Sequence, residues 1–500
     1  MAADRVDEAQ ERTSQTLTPD AEALPSDRHG ARRAVRAAVH YASVAAIGGL
    51  LFGYDISVTN GAISGLAADF RLGNALLGFA AAAALLGAAP GAMIGGRIAD
   101  RMGRLAMMRL AATLLVACGL GTGLAGNIAT FIVFHTVGGI GIGVASVASP
   151  AYIAEISPPQ LRGRLGSLHQ LGIVLGICGS LAVNWVPLRL ARGASAHLWL
   201  GLAAWRWTYL GEVLVAVVYA ALIFTIPESP RYLVAGERFS DARQVLSKLL
   251  AKHDVEPTLN RIAETLHQEK PPAWRDLRAP TGGVYPVVWL GVGLAVSQQF
   301  VGIAVIFFYS RVLWEAVGFG ESSAFTIALA TSMVNVVITL LAIVLIDRVG
   351  RRPLLLAGST GMALMLATLT VVFSRAPVVD GRPILAGSSA LVALVAANLF
   401  VVAFAVSWGP IVWVQLGEMF PNRIRSAALG LSAGVQWVAN WTITVTFPVL
   451  RQALGLAYAF YTLCAVLSFV FVWRWVRETT GVSLEDMHAD SLQTEGEEAC

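Results

Sequence analysis

The sequence predicts an all-α membrane protein of twelve transmembrane helices arranged as two pseudo-symmetric six-helix bundles. Three observations predict it. The chain of 500 residues is 56% hydrophobic and only 14% charged, with mean hydropathy +0.65; soluble domains carry about 25% charged residues. Twelve apolar stretches are long enough to cross a bilayer, which takes about 20 residues each. Short charged motifs recur at matched places in the two halves of the chain.

Taken in order, residues 1–39 form a polar N-terminal tail that lacks the apolar core of a signal peptide and is expected to be disordered and cytoplasmic. The spans follow at roughly 40–63, 75–95, 105–125, 128–150, 165–187 and 207–226, then 284–312, 324–346, 353–374, 389–415, 424–449 and 455–476. This gives an N-terminal bundle over 40–226, a linker over 227–283, a C-terminal bundle over 284–476 and a cytoplasmic tail over 477–500. The tails and even-numbered loops hold 28 of the 36 Lys and Arg residues. Basic loops stay in the cytoplasm, so both termini are expected there. Within the linker, SDARQVLSKLLAKH starts with Ser240 as a candidate N-cap and puts Val245, Leu246, Leu249 and Leu250 on one helical face. LNRIAETL repeats the pattern with Leu259, Ile262 and Leu266. Both read as short amphipathic helices on the cytoplasmic surface. Cys118, Cys178, Cys464 and Cys500 show no paired spacing, which argues against a disulfide framework or zinc site. With no phosphate loop, clustered metal ligands or nucleophile–base set, no enzyme, metal, cofactor or nucleic-acid partner is expected.

The repeat is specific. Asp100-Arg101-Met102-Gly103-Arg104 after the second span matches Asp347-Arg348-Val349-Gly350-Arg351 after the eighth. Glu155 precedes Arg162 by the same seven positions that separate Glu418 from Arg425. Pro227-Glu228-Ser229-Pro230-Arg231 closes the first half, and Arg477-Glu478-Thr479 closes the second. These charges can pair across helix ends, forming a cytoplasmic latch whose members include Glu228 and Arg231. A latch made in only one orientation of the halves biases which face is open. Duplicated bundles of this kind bind substrate between the halves and rock around it.

Two classes of polar residue stand inside the spans. Asp55 is the one formally charged side chain between Arg36 and Asp69. A charge there costs roughly 2.5–3.5 kcal/mol on insertion scales, so it marks a functional site. Amides also recur: Gln170, Gln298, Gln299, Asn335, Gln436 and Asn440. Each could glue helices together or meet a polar ligand. Gln298 and Gln299 are adjacent and cannot point the same way on a helix, so one is expected to touch a ligand and the other to pack or gate. Gly409-Pro410 reads as a break in the tenth span.

The motifs resemble the sugar porters of the major facilitator superfamily. They are GGLLFGYD (48–55), GGRIADRMGR (95–104), PAYIAEISPPQLRGRL (150–165), PESPRYL (227–233), QQFVGI (298–303), DRVGRRP (347–353), SWGPIVW (407–413), EMFPNRIR (418–425) and QWVANW (436–441). The resemblance implies two six-helix bundles around a polar cavity that holds a monosaccharide. It places Phe52, Gln170, Gln298, Gln299, Asn335, Gly409, Trp413, Gln436, Trp437 and Asn440 at substrate-binding positions. It also implies that Asp55 carries a proton, since the family's proton symporters have Asp there. In those symporters an Arg in the fourth span pairs with it; here FHTVGGIGIG puts His135 at that position. Unlike Arg, His loses its charge near neutrality, so Asp55 and His135 are expected to titrate as one unit and to alter the pH optimum of coupling. Two further departures, Ile177 and Ala304, replace polar groups of the family's pattern and point to a monosaccharide or polyol with fewer or differently placed hydroxyls than glucose, or to weaker glucose affinity. The expected function is proton-coupled sugar import by alternating access, through a monomer in a bacterial inner membrane. The alternatives are a facilitative carrier, a proton-driven exporter of the same fold, or a transporter-like nutrient sensor.

Overall fold

The computed structural model describes residues 25–158, 161–191, 193–268, 274–278, 282–316, 319–379, 382–383, 385, 387–420, 424–450 and 453–478. The six N-terminal spans are α1 (Pro25–Asp69), α2 (Asn74–Met102), α3 (Arg104–Gly123), α4 (Ile128–Ile156), α5 (Arg162–Ala191) and α6 (Ala204–Ile223). The linker carries α7 (Pro230–Ala235), α8 (Phe239–Leu249) and α9 (Val255–Gln268). The second half is built from α10 (Pro286–Phe300), α11 (Ile303–Ala316), α12 (Glu321–Val349), α13 (Arg351–Ser374), α14 (Ser388–Val406), α15 (Trp408–Met419), α16 (Arg425–Leu450) and α17 (Leu454–Trp475). A two-residue strand pair, Val378–Val379 with Arg382–Pro383, joins α13 to α14.

Among the described residues, eleven segments are long and apolar enough to cross a membrane. The twelfth expected span coincides with α16, whose 26 residues suffice in length. Gln436, Asn440 and several Ser and Thr residues dilute its hydropathy, as expected of a helix that lines a polar cavity.

The first half is made of unbroken helices held by small residues. A Cβ on Gly53 of α1 would lie 1.8 Å from the Ile173 carbonyl oxygen of α5, and one on Gly139 of α4 would lie 1.9 Å from the Ala84 oxygen of α2. Only glycine lets these backbones approach so closely.

The second half differs. Its seventh span is broken between α10 and α11 at Gly302, whose φ of +84° suits glycine. Its tenth span is broken between α14 and α15 at Ser407 (φ −130°, ψ −87°). This is two residues before the Gly409-Pro410 pair that predicted a break. Pro410 falls in the first turn of α15, where a helix needs no N–H from it. The break is pinned by Trp408, whose Nε1 donates to the Leu355 carbonyl (3.2 Å) and Ser359 Oγ (2.9 Å) of α13.

At the cytoplasmic end the repeated motifs are staples. Arg104 Nη2 pairs with Asp100 Oδ1 and Glu155 Oε1, each at 2.8 Å, and Glu155 also accepts from Ser229 Oγ. Glu228 caps the N-terminus of α3 by accepting from the Arg104 and Leu105 amides at 3.1 and 3.2 Å. Glu478 does the same for α13, accepting from the Arg351 and Arg352 amides at 3.0 and 2.9 Å. Gly103 and Gly350 precede the two capped helices with φ of +93° and +98°, a conformation that keeps the turn clear for each glutamate. These bonds run across helix ends within one half each, as the expected charge pairs do, and they stiffen the bundles. The side chains of Arg162, Asp347, Glu418 and Arg425 lie outside the described residues.

In the linker, α8 starts at Phe239 with Arg238 at the N-cap position and no side-chain cap, placing Ser240 inside the first turn. Val245, Leu246 and Leu249 are buried as expected, as is Leu259 of α9.

Candidate functional site

The halves meet along α2 and α16, α5 and α12, and α1 and α11. Between them lies a half-open cavity whose empty space, its open mouth included, is about 700 Å³. Nine of the ten residues expected at the substrate site line it. Phe52 and Gln170 come from the first half; Gln298, Gln299, Asn335, Gly409, Trp413, Gln436 and Asn440 come from the second. Trp437 does not line it; its ring packs behind Phe52 at 4.9 Å between centroids, edge to face. Ile177 and Ala304 sit on the cavity wall, as the sequence comparison with the family's pattern required.

The walls differ in chemistry. The first half offers one amide, Gln170, among Phe52, Ile56, Ile173, Val174 and Ile177. The second half offers five amides and Thr339. The breaks at Gly302 and Ser407 explain part of this. They turn α11 and α15 so that Ile303, Ala304, Gly409 and Trp413 reach the cavity. A polyol has hydroxyls around its ring edge and an apolar ring face, so one amide-rich wall and one aromatic or aliphatic wall suit it.

Asp55 lies on the other side of α1, away from this cavity. Phe52 and Ile56 face the cavity from one stripe of the helix, and Asp55 faces into the first half. There it is buried at 2% exposure beside His135, Cys118 and Glu212, each at 0%. His135 Nε2 lies 3.6 Å from Asp55 Oδ1. Oxygens of Asp55 and Glu212 and Cys118 Sγ lie within 4.8 Å of one another. The other ring nitrogen, His135 Nδ1, is 3.0 Å from the Ala80 carbonyl oxygen. A carbonyl can only accept, so Nδ1 carries a hydrogen. Nε2 therefore faces Asp55 with a lone pair when the ring is neutral and with a proton when it is charged. The contact to Ala80 depends on the glycine seam between α2 and α4. Phe131 and Tyr209 flank the ring at 5.3 and 5.8 Å, and Tyr209 OH shares a hydrogen bond with Thr59 Oγ1 at 3.2 Å.

Among the described residues, neither carboxylate pairs with a Lys or Arg. Both oxygens of Glu212, Asp55 Oδ1 and His135 Nε2 are buried without a hydrogen-bond partner. Titratable side chains buried together in this way are equipped for proton transfer.

Sequence reasoning missed Glu212. Its signal was the one that singled out Asp55: it is the only formal charge between Arg206 and Glu228. His169 was missed as well. It lies within α5, half-buried against Gly49 of α1.

The model of the family described as "Sugar (and other) transporter" matches residues 41–490. The chain belongs to the sugar transporter family. It is a transporter and not an enzyme. A glucose transport protein of Synechocystis is 49% identical over 447 residues, covering 89% of this chain and 95% of that protein. A D-xylose-proton symporter of Escherichia coli is 34% identical over 481 residues, covering 89% and 94%. Among solved structures, the proton:xylose symporter XylE bound to 6-bromo-6-deoxy-D-glucose matches with a TM-score of 0.79 at 33% identity, covering 91% of this chain and 99% of that one. The twelve-helix major facilitator fold follows from that match together with the helices described above.

Proposed function

We propose that the protein imports a monosaccharide together with a proton by alternating access. The observation that carries this is the pairing of two sites on one helix. Phe52 and Ile56 of α1 line an amide-rich cavity, while Asp55 of the same helix enters a buried group of titratable side chains that, among the described residues, has no Lys or Arg paired with it. Sugar sits against Gln170, Gln298, Gln299, Asn335, Gln436 and Asn440, with Phe52 and Trp413 as apolar platforms and Trp437 backing Phe52. Asp55 and His135 hold the coupled proton, with Glu212 beside them. The relatives named for glucose and for D-xylose with protons support the substrate class. Ile177 and Ala304 remove hydrogen-bonding groups from the cavity, which favours a pentose or weak glucose binding. Micromolar binding of D-glucose would overturn that refinement. The Arg and Lys bias supports an orientation with both termini in the cytoplasm.

The test uses proteoliposomes with a pH-sensitive dye inside. D-Glucose, D-xylose, L-arabinose and polyols are added one at a time. Acidification of the lumen with a sugar is expected, and Asp55→Asn should abolish accumulation while leaving sugar exchange. Sugar uptake without acidification, or an Asp55→Asn carrier that accumulates sugar like the natural one, would refute proton coupling.

A further inference from the structure

Asp55, Cys118, His135 and Glu212 come from α1, α3, α4 and α6, and all four are buried in the first half. Together they bring two carboxylates, a thiol and an imidazole to one place. Oxygens of Asp55 and Glu212 and Cys118 Sγ lie within 4.8 Å of one another. His135 Nε2 stands 3.6 Å from Asp55 Oδ1. Each member belongs to a different helix, so the cysteine spacing that argues against a zinc site along the chain says nothing about this set.

Most of these donors are not engaged elsewhere. Asp55 Oδ1, both oxygens of Glu212 and His135 Nε2 are buried without a hydrogen-bond partner. His135 Nδ1 donates to the Ala80 carbonyl at 3.0 Å, which leaves the lone pair of the neutral ring on Nε2. Metal-bound histidines are oriented in this way, with the far nitrogen given to a backbone carbonyl or carboxylate. A tetrahedral ion with bonds of about 2.0–2.3 Å holds its ligand atoms about 3.3–3.8 Å apart. The His135–Asp55 separation already fits. Asp55, Cys118 and Glu212 need to draw together by at most about 1.5 Å, a distance that side-chain rotation covers. Among the described residues no Lys or Arg pairs with either carboxylate, so the set also lacks positive charge. Its chemistry selects the ion. Thiolate and imidazole suit zinc and cadmium, whereas magnesium and calcium require shells of oxygen.

We propose that this group binds a thiophilic divalent cation of the zinc class, with Asp55, Cys118 and Glu212 as ligands and His135 as the fourth. The Cys118 thiol gives its hydrogen to water as the metal–sulfur bond forms. The bound ion occupies the lone pairs of Asp55 and His135 and joins α1 to α3, α4 and α6, so it inhibits coupled transport. The inference rests on the proposed function for its route of entry, since the opening through which a proton reaches Asp55 also admits the ion.

The experiment is titration of the full-length protein in detergent with Cd²⁺, read by the ultraviolet charge-transfer band of the cadmium–thiolate bond. One ion per chain should bind with a Kd of about 1 μM or below. Zn²⁺ should displace it, and an excess of about 1,000-fold of Mg²⁺ or Ca²⁺ should not. Cys118→Ser should abolish the band. Glu212→Gln and His135→Gln should keep it and weaken binding at least about 10-fold. The triple variant Cys178→Ser, Cys464→Ser, Cys500→Ser should keep the band at natural affinity, and it decides the matter even if Cys118→Ser does not fold. No band in the natural protein, or a band lost in the triple variant, would overturn the site. So would binding that survives Cys118→Ser undiminished, which is the mark of surface residues such as the exposed His253–Asp254 pair. In proteoliposomes, saturating Zn²⁺ should slow sugar-driven acidification at least about 10-fold; acidification untouched by Zn²⁺ would overturn the inhibition. A Cys118-dependent band in a protein that never acidifies upholds the site and refutes proton coupling. Acidification in a protein without the band refutes the site alone.

Discussion

Gly53 sits between Phe52 and Asp55 on α1, so a methyl group there perturbs both sites at once. In Gly53→Ala the new Cβ would stand 1.8 Å from the Ile173 oxygen, 2.7 Å from its carbonyl carbon and 3.0 Å from its Cα. All three are backbone atoms, so no rotamer change relieves the clash. Ordinary contact is about 3.4 Å or more, which forces α1 and α5 apart locally by roughly 1.5 Å. Overpacking of this kind costs typically 1–3 kcal/mol, or a fall in Tm of about 2–12 °C for a bundle of some 200 residues. The functional loss should be larger than the stability loss. Misplacing reacting groups by about 1 Å can cost 100-fold in rate, and α1 carries a cavity wall and the proton carboxylate together. Transport rate and Tm are measured side by side in proteoliposomes and detergent. Gly179→Ala on the same α5 is the control, because nothing lies within 4 Å of a Cβ there. A Gly53→Ala carrier with natural Tm and natural uptake would refute the account of the seam.

Gly103→Ala and Gly350→Ala should destabilise to a similar degree, about 1–2 kcal/mol each, because both force an alanine to positive φ; thermal unfolding of the pair tests whether the two halves share this turn. Each new Cβ would also press on the capping glutamate, at 2.5 Å from Glu228 Oε2 and 2.9 Å from Glu478 Oε2. Arg104→Ala removes two ion pairs and a bond to the Ala99 carbonyl from a buried guanidinium, and should cost about 2–4 kcal/mol, read as a drop in Tm, with Glu155 keeping only the Ser229 hydroxyl and the charge of Arg231. On the linker surface, the Arg243 guanidinium holds the Glu256 carboxyl below its usual range through a hydrogen bond. A depressed folded-state value contributes stability above the usual carboxylate range, lost as pH falls through the folded value. The pair is fully exposed, so Glu256→Gln should leave Tm unchanged at neutral pH and physiological salt.

Much of this was legible in the sequence because a bilayer punishes polar atoms. Any amide or carboxylate kept inside an apolar run stands out against it, and nine of the ten residues inferred for the sugar site line one cavity. The duplicated charged motifs were legible for the same reason. What they do was not. Glu228 and Glu478 turned out to cap helices within their own halves, and sequence cannot say whether a charge pairs within a bundle or across one. Cys118 joins Asp55 and Glu212 only because Gly138 of α4 leaves room for its sulfur; a Cβ on Gly138 would lie 2.3 Å from Sγ.

The two halves divide the work in a way their backbones explain. The first half holds the titratable group of Asp55, His135 and Glu212 within continuous helices packed through glycine-to-backbone contacts. The second half holds most of the cavity-lining amides and is interrupted at Gly302 and Ser407, beside the cavity. A broken helix gives the chain a joint. Gln298 is bonded to the first carbonyls beyond that joint, and Gln299 and Gln436 are bonded to Gln298. On the facing side α1 is rigid and two-sided, with Phe52 and Ile56 toward the cavity and Asp55 toward the proton group. Under the proposed function, any shift of α1 on sugar binding would reach the Asp55–His135 contact without a separate linkage, because one straight helix serves both sites.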